Sequence, residues 1–256
     1  MKIATFNVNS IRARLPRVLE WLEDSQPDVV CLQEIKCTND VFPAIEFQSL
    51  GYQLSVHGQK AYNGVAILSK SEPVDVAPGL PGDDGDEQAR YLEATIEGVR
   101  IASIYLPNGN PLGGEKFAYK LEWMERLHEQ AKTLLKSEMP IVLCGDFNVC
   151  PRDEDCYDPA AFANDALMQP ESRAALRRIE FLGYTDAFRQ LKPAGHDYTF
   201  WDYQRGAWQK DNGLRIDHFL LSPQALDRLQ ACEVERQQRA KEKASDHTPI
   251  WCKLEV

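Results

Sequence analysis

No apolar run in this 256-residue chain approaches the roughly 18 residues that a bilayer-spanning helix needs. The opening residues, Met1-Lys2-Ile3-Ala4-Thr5-Phe6-Asn7, lack the basic, apolar and small-residue succession of a secretory signal. They pass at once into a strand-like pattern. The seven cysteines are odd in number and include no C-x-x-C pair, which leaves little for a disulfide framework or a zinc site. Cys31, Cys144 and Cys252 fall inside apolar strand-like runs and are expected as small core residues in a reducing compartment. Cationic side chains are also scarce, since 29 Lys and Arg against 39 Asp and Glu leave a net charge of −10. A field of that sign repels polyanions, which argues against a sequence-unspecific coat for nucleic acid. It leaves open an enzyme that grips phosphates locally and brings a divalent cation. Linkers rich in Ser, Gly and Pro are missing, as are fixed-period repeats. The acidic, turn-rich stretch Pro78–Glu87 is the nearest approach to low complexity, and strands resume directly beyond it. The expectation is one domain over residues 1–256, soluble and cytoplasmic, with no membrane partner.

What the sequence does hold is enough apolar material, 43%, to bury a full core. Short β-branched runs predict strands at Ile3–Val8, Val29–Leu32, Tyr52–Val56, Gly64–Leu68 and Tyr91–Ile96. Others are predicted at Val99–Leu106, Ile141–Cys144, Ile216–Leu221 and Thr248–Leu254. Helical spacing appears over about Ile11–Glu23, with Leu15, Val18, Leu19 and Leu22 on one face. It recurs over Lys116–Lys136, with the stripe Leu121, Met124, Leu127, Ala131 and Leu134, and over Pro170–Phe181. Many strands with helices long enough to cover a sheet face predict two packed sheets flanked by helices.

Polar residues collect where these strands end. The runs close on Phe6-Asn7-Val8-Asn9, Leu32-Gln33-Glu34-Ile35-Lys36, Tyr105-Leu106-Pro107-Asn108-Gly109 and Gly145-Asp146-Phe147-Asn148. Further along stand Arg215-Ile216-Asp217-His218 and Ser245-Asp246-His247. Taken singly, each has an ordinary explanation: an Asn or Asp after a strand is usually a turn or a cap. Glu34 could be a solvated acid paired with Lys36, and Lys116 a solvated lysine at a helix start. Six such clusters in one chain are harder to dismiss. They supply hard oxygen ligands for Mg²⁺ or Mn²⁺ from Glu34 and Asp246 with amide oxygens nearby. They also supply a carboxylate and an amide, Asp146 and Asn148, at a spacing that faces both the same way on an extended segment. His247 with Asp217 or Asp246 could form an acid–imidazole pair whose ring stays cationic beside an anion. That inventory suits hydrolysis of a phosphate ester.

With these motifs in this order, the chain resembles the exonuclease III-type apurinic/apyrimidinic endonucleases of the endonuclease/exonuclease/phosphatase superfamily, from Lys2 to Leu254. The stretch Gly145–Pro159 is similar to that group rather than to its lipid-directed cousins. The resemblance implies a four-layer αββα sandwich, a Mg²⁺ or Mn²⁺ cofactor, and a site at one rim of two mixed sheets. It makes Glu34 the principal metal ligand, with Asn7 beside it and Asp246 as a direct or water-mediated ligand. Asp146 takes the attacking water, Asn148 holds water or phosphate, Tyr105 contacts phosphate, and His247 binds phosphate with Asp217 as its partner. Asn9, Lys36 and Lys116 fall at supporting positions. Phe200, Trp201, Leu214 and Ile216 are expected around a pocket for a flipped, baseless sugar, although Trp201 is as readily a core plug. Arg173, Arg177 and Arg178 offer one basic patch, or simply a solvated helix face. The implied partner is duplex DNA containing abasic sites or blocked 3′ ends, cut 5′ to the lesion to leave a 3′-hydroxyl, by a monomer. Two other readings stay open here: a hydrolase of the same superfamily acting on a phosphoinositide, sphingolipid or RNA tail, and a DNA-binding protein with a dead site.

Overall fold

Alternation along the strands assigns the layers, because successive side chains of a strand face opposite ways. The computed structural model describes residues 1–255. Its strands are β1 (Lys2–Asn7), β2 (Val29–Gln33), β3 (Gln53–His57), β4 (Val65–Ser69), β5 (Val74–Pro78) and β6 (Tyr91–Ile96). They continue with β7 (Val99–Tyr105), β8 (Ile141–Asp146), β9 (Thr185–Asp186), β10 (Asp217–Leu221), β11 (Leu229–Val234) and β12 (Ile250–Leu254). Two six-stranded mixed sheets result, ordered β11-β12-β1-β2-β4-β3 and β5-β6-β7-β8-β10-β9.

Ile3, Cys31 and Ile67 of the first sheet meet Ala94, Val142, Cys144 and Phe219 of the second in the central core. Their neighbours in sequence point outward. Ala4, Phe6, Leu32 and Leu68 pack under α1 (Ile11–Ser25) and α2 (Ala44–Ser49) through Trp21, Leu22 and Phe47. On the far side, Ile104, Ile141 and Leu143 pack under α3 (Glu115–Leu135) and α4 (Pro170–Phe181) through Trp123, Leu127, Leu176 and Ile179. Two short helices, α5 (Ala187–Leu191) and α6 (Pro223–Leu226), complete the fold. The architecture is therefore helix–sheet–sheet–helix, as the sequence predicts, and no helix among the described residues is long and apolar enough to cross a membrane. Strands β5, β9 and β11 are absent from the sequence prediction. β5 and β11 are exposed or half-buried sheet edges, and β9 is an edge of two residues, so none carries the apolar run by which a strand is read.

Parallel pairing of β1 with β2 sets Asn7 opposite Gln33, and that of β7 with β8 sets Tyr105 opposite Asp146. Antiparallel pairing of β10 with β8 sets Asp217 opposite Asp146. One rim thus receives the ends of strands from both sheets. Gly145 makes the last step possible. Its φ is +146°, and a Cβ there would lie 1.9 Å from the Ile104 carbonyl oxygen, so β8 can hug β7 only with glycine.

The start of β10 is anchored by buried charge. Arg215, fully buried, donates to Asp155 from Nε (2.7 Å) and to Asp186 (2.9 Å), and Arg189 adds a second bond to Asp155 (2.5 Å). Arg215 also donates to His218 Nδ1 (3.0 Å), whose Nε2 donates to the Val149 carbonyl (2.8 Å). Burial alone would raise the pKa of Asp155, but the Arg215 and Arg189 guanidiniums overcome it and bring it to about 2. We expect Asp155→Ala to lose about 3–5 kcal/mol of unfolding free energy at pH 7, because buried Arg189 loses its carboxylate partner and buried Arg215 loses one of its two. The contribution of Asp155 is present above its unfolded pKa, ordinarily 3.8, and is lost as pH falls through its folded value. Urea unfolding should thus show the gap between wild type and variant intact at pH 5 and closing toward pH 2. A gap below about 1 kcal/mol at pH 7, the range of an exposed ion pair, would show that the network anchors nothing.

Candidate active site

The rim side chains form one connected polar cluster. Asn7, at the end of β1, directs its amide nitrogen to Glu34 Oε1 and to Asp146 Oδ2, each at 2.9 Å, and so ties a carboxylate of each sheet to the other. The main-chain N–H of Asn9 donates to Asn7 Oδ1 (3.0 Å), which fixes that orientation. Lys36 reaches both Glu34 (2.8 Å) and Asn9 Oδ1 (2.5 Å). The Asn9 amide in turn donates to Asp246 Oδ1 (3.0 Å).

His247 lies in the loop that enters β12 and is buried between carboxylates. Its Nδ1 donates to Asp217 Oδ2 at 2.8 Å, and its Nε2 stands 3.7 Å from Asp146 Oδ2. The Phe200 ring packs edge-on against the imidazole, 5.0 Å between centroids. Ser245 supports the loop, donating to the Asn7 carbonyl (2.8 Å) and accepting from the His247 N–H (3.3 Å). Asn148 accepts at Oδ1 from the Asn108 amide (3.0 Å), donates to the Leu106 carbonyl (2.9 Å), and gives its own N–H to Asp146 Oδ1 (2.9 Å).

Charge follows from this geometry. Burial would pull the His247 pKa down, but Asp217 and Asp146 raise it to about 10, so the ring is an imidazolium at neutral pH. Burial pushes Asp146 up to about 7, with Asp217 and Glu34 adding to the rise and His247 and Asn7 opposing it. For Glu34 burial again acts upward, yet hydrogen bonds from Lys36 and Asn7 prevail and lower it below the ordinary value. Burial, with the Glu34 and Asp146 carboxylates nearby, lifts the Tyr105 phenol well above its usual range, so it remains a neutral donor. The site holds an ionised glutamate, a fixed cation and a carboxylate poised near neutrality.

Glu34, Asp146 and His247 bring ligand-type atoms within 4.8 Å of one another. Two of the three are hard oxygen donors, which fit a small divalent cation; the imidazolium, protonated on both nitrogens, does not ligate. Asp246 lies outside that triad, held by Asn9 and Ser245. Lys116 is exposed in the first turn of α3.

Phe200, Leu214 and Ile216 do share one apolar cluster, joined by Cys150, Leu167 and Met168. Trp201 does not join them: it is 0% exposed, packs with Tyr198, Ala207 and Trp208, and donates from Nε1 to Asp211 (3.0 Å), so it is a plug beneath the loop. Nor do Arg173, Arg177 and Arg178 form a basic patch. Arg173 turns to the Cys150 carbonyl and Asp153, and Arg178 pairs with Glu125. Three contributors escaped the sequence reading. Ser245 and Asn108 were visible only as neighbours of larger motifs, and Lys120 sits four residues before Met124 on the buried face of α3. A charged residue in register with an apolar stripe was the available signal.

If Asp217 is what keeps His247 cationic, Asp217→Asn should lower the imidazole pKa by about 1 to 3 pH units. Titration of the ring by NMR reads this directly. An unchanged pKa would assign the charge to Asp146 and Asp246.

The Endonuclease/Exonuclease/phosphatase family model matches residues 4–247 of the chain. Exodeoxyribonuclease III of Haemophilus influenzae is 34% identical over 99% of this chain and 100% of its own length. Among solved structures, an AP endonuclease from Archaeoglobus fulgidus superposes with a TM-score of 0.96 at 39% identity, covering all of both chains. A 3′ phosphatase, NExo from Neisseria, bound to a product DNA hairpin, superposes at 0.98 with 41% identity, again over all of both chains. The match runs from the first strand to the rim histidine, and the chain belongs to the endonuclease/exonuclease/phosphatase family.

Proposed function

We propose that this protein is a divalent-metal-dependent DNA-repair nuclease that hydrolyses the phosphodiester 5′ to abasic sites in duplex DNA, as a monomer using Mg²⁺ or Mn²⁺. The same site would release 3′ blocking groups and 3′ nucleotides. The observation that carries the reading is the buried His247 imidazolium held between Asp217 and Asp146 beside the ionised Glu34. DNA, rather than a lipid, is supported by relatives that include an AP endonuclease and a 3′ phosphatase bound to DNA.

Glu34, with Asp146 and the amide oxygen of Asn7 if that amide turns over, would hold the cation, and Asp246 would reach it through water. A bound divalent cation neutralises phosphate charge and polarises the ester. The chain's own groups supply the rest. Asp146, as a carboxylate, takes a proton from the attacking water while the water oxygen bonds to phosphorus. The P–O3′ bond breaks, the leaving oxygen takes a proton from solvent water to become the 3′-hydroxyl, and Asp146 returns its own proton to solvent when the product leaves. His247 and Tyr105 donate to the phosphate oxygens, whose charge increases in the transition state. Asn148 orients the water or a phosphate oxygen. Asn9, Lys36 and Lys116 contact flanking phosphates, and Phe200, Leu214 and Ile216 wall the space for the extruded sugar, which costs least to unstack at a lesion.

Cleavage of an abasic duplex, a 3′-phosphate-ended duplex and a lipid phosphodiester by the same preparation tests the substrate class; turnover of the lipid alone would overturn it. Glu34→Ala should lose activity chiefly through metal affinity, so that raising Mg²⁺ or Mn²⁺ recovers part of the rate. A defect insensitive to metal concentration removes Glu34 as ligand. Asp146 must be ionised and His247 protonated, so kcat/KM should rise with pH up to about 7 and fall near 10. Bound metal can only move the acid limb down. Asp146→Asn should lower kcat by about 10²–10⁴ with abasic-DNA binding retained, and should abolish that limb. Near-wild-type single-turnover chemistry in this variant would exclude Asp146 as the base.

A further inference from the structure

We infer that Lys120 is a positioning residue for the reaction proposed above, a role that rests on that reading: its ammonium ties together three rim loops and so sets Asn148 against the phosphate and the pocket wall against the sugar.

Lys120 lies on the inner face of α3 and is 0% exposed. An ammonium has three N–H donors and no acceptor. Here each donor finds one carbonyl: Asn148 at 2.7 Å, Asn108 at 3.0 Å and Ala166 at 3.2 Å. Those carbonyls belong to the loop after β8, the loop after β7 and the segment before α4. The loops are also laced to each other above the lysine. Asn108 donates to the Asn148 side chain, Asn110 donates to Asp165 (3.0 Å), and the Ala166 N–H donates back to Asn110 Oδ1 (2.9 Å). Ser172 adds a second donor to the Ala166 carbonyl (2.7 Å). Gly109, at φ +89°, lets its loop settle onto the lysine stem, where a Cβ would come within 2.6 Å of Lys120 Cδ.

The energetics argue against a mere filler. Burial pushes the Lys120 pKa down to about 7, a cost to the charged form that a leucine or methionine at that point of an amphipathic helix would not incur. What the cation supplies, and an apolar side chain cannot, is a common partner for three carbonyls that would otherwise repel one another. Two of the tied segments lead to different parts of the site. Asn148 stands beside Asp146, and Ala166 is followed by Leu167 and Met168, which pack with Leu214 and Ile216 in the apolar cluster. Lys120 thereby sets the spacing between the residue that handles water or phosphate and the wall that receives the sugar.

The test uses the full chain with Lys120→Met, and with Lys120→Gln, which retains two donors on a shorter stem and serves if the methionine variant does not fold. Without any turnover, amide hydrogen exchange at Asn110, Asp165 and Ala166 should quicken by about tenfold or more, with β8 and the C-terminal half of α3 unaffected. In single-turnover cleavage the rate should fall on the order of 10²-fold while KM stays near wild type, as expected for misplacement and not lost binding. The loss should shrink in an Asn148→Ala background, because Lys120 acts through that residue. Unchanged exchange in the loops overturns the tie. Additive losses with Asn148→Ala, or activity per folded molecule equal to wild type, overturn the positioning role. Quickened exchange in a protein whose wild type cleaves none of the DNA substrates would overturn the nuclease reading and reduce Lys120 to a structural brace.

Discussion

A single imidazolium between two carboxylates governs the rim. His247 comes from the first sheet's side, and Asp217 and Asp146 from the second, and none of the three is appreciably exposed. Burying either carboxylate alone would be strongly unfavourable; burying both around a cation is tolerable. The sheets must therefore pack in one relative position at this edge, since sliding one past the other would strand a charge. Asn7 performs the same service for Glu34 and Asp146 with a neutral amide. Carboxylates still outnumber cations in the cluster, and that residual negative charge is what a divalent ion would complete.

Beneath the rim lies a second charged layer with a different purpose. Arg215, Asp155, Asp186 and Arg189 neutralise one another largely out of reach of solvent, and they grip the segment leading to Asp217. The contrast with the rim is instructive. In the lower network cations and anions balance, and Asp155 is driven far toward its ionised form. At the rim the balance is incomplete, and Asp146 is left near neutrality where a proton can come and go. Balanced charge holds the scaffold, and unbalanced charge leaves a carboxylate able to exchange its proton.

Sequence patterning carried most of the layered architecture, because strand alternation and helical stripes both report burial. It also carried the rim residues, since each lies at or within a few residues of the end of a strand whose core run is easy to read. What it could not carry depends on distant partners. Trp201 has an aromatic-cluster context equally suited to a pocket wall or a plug, and only the Tyr198–Trp208 packing decides for the plug. Lys120 falls by its spacing on the inner face of α3, but only the three carbonyls that converge on it from separate loops show what meets its charge. Backbone conformation was hidden as well. Asn9, Glu34, Lys36 and Asn148 all adopt left-handed φ values, between +42° and +53°, a region that non-glycine residues visit rarely. Strain of that kind is held by the surrounding hydrogen bonds and leaves no mark in composition.

The pairing of β1 with β12 has a consequence for how the molecule acquires activity. Asn7 and Ser245 are bonded across 238 positions of sequence, and Asn7 and Asp146 across 139. Contacts so remote in the chain close only after much loop entropy has been surrendered, so they form late. A chain with its helices and local hairpins in place, but with its two sheets not yet packed together and without the β1–β12 ladder, has Glu34 and Asp146 on separate bodies and His247 on neither. Such an intermediate lacks the proposed catalytic centre altogether. Recovery of cleavage during refolding would therefore time the closing of the whole sandwich, and a partly folded copy would be harmless to the DNA around it.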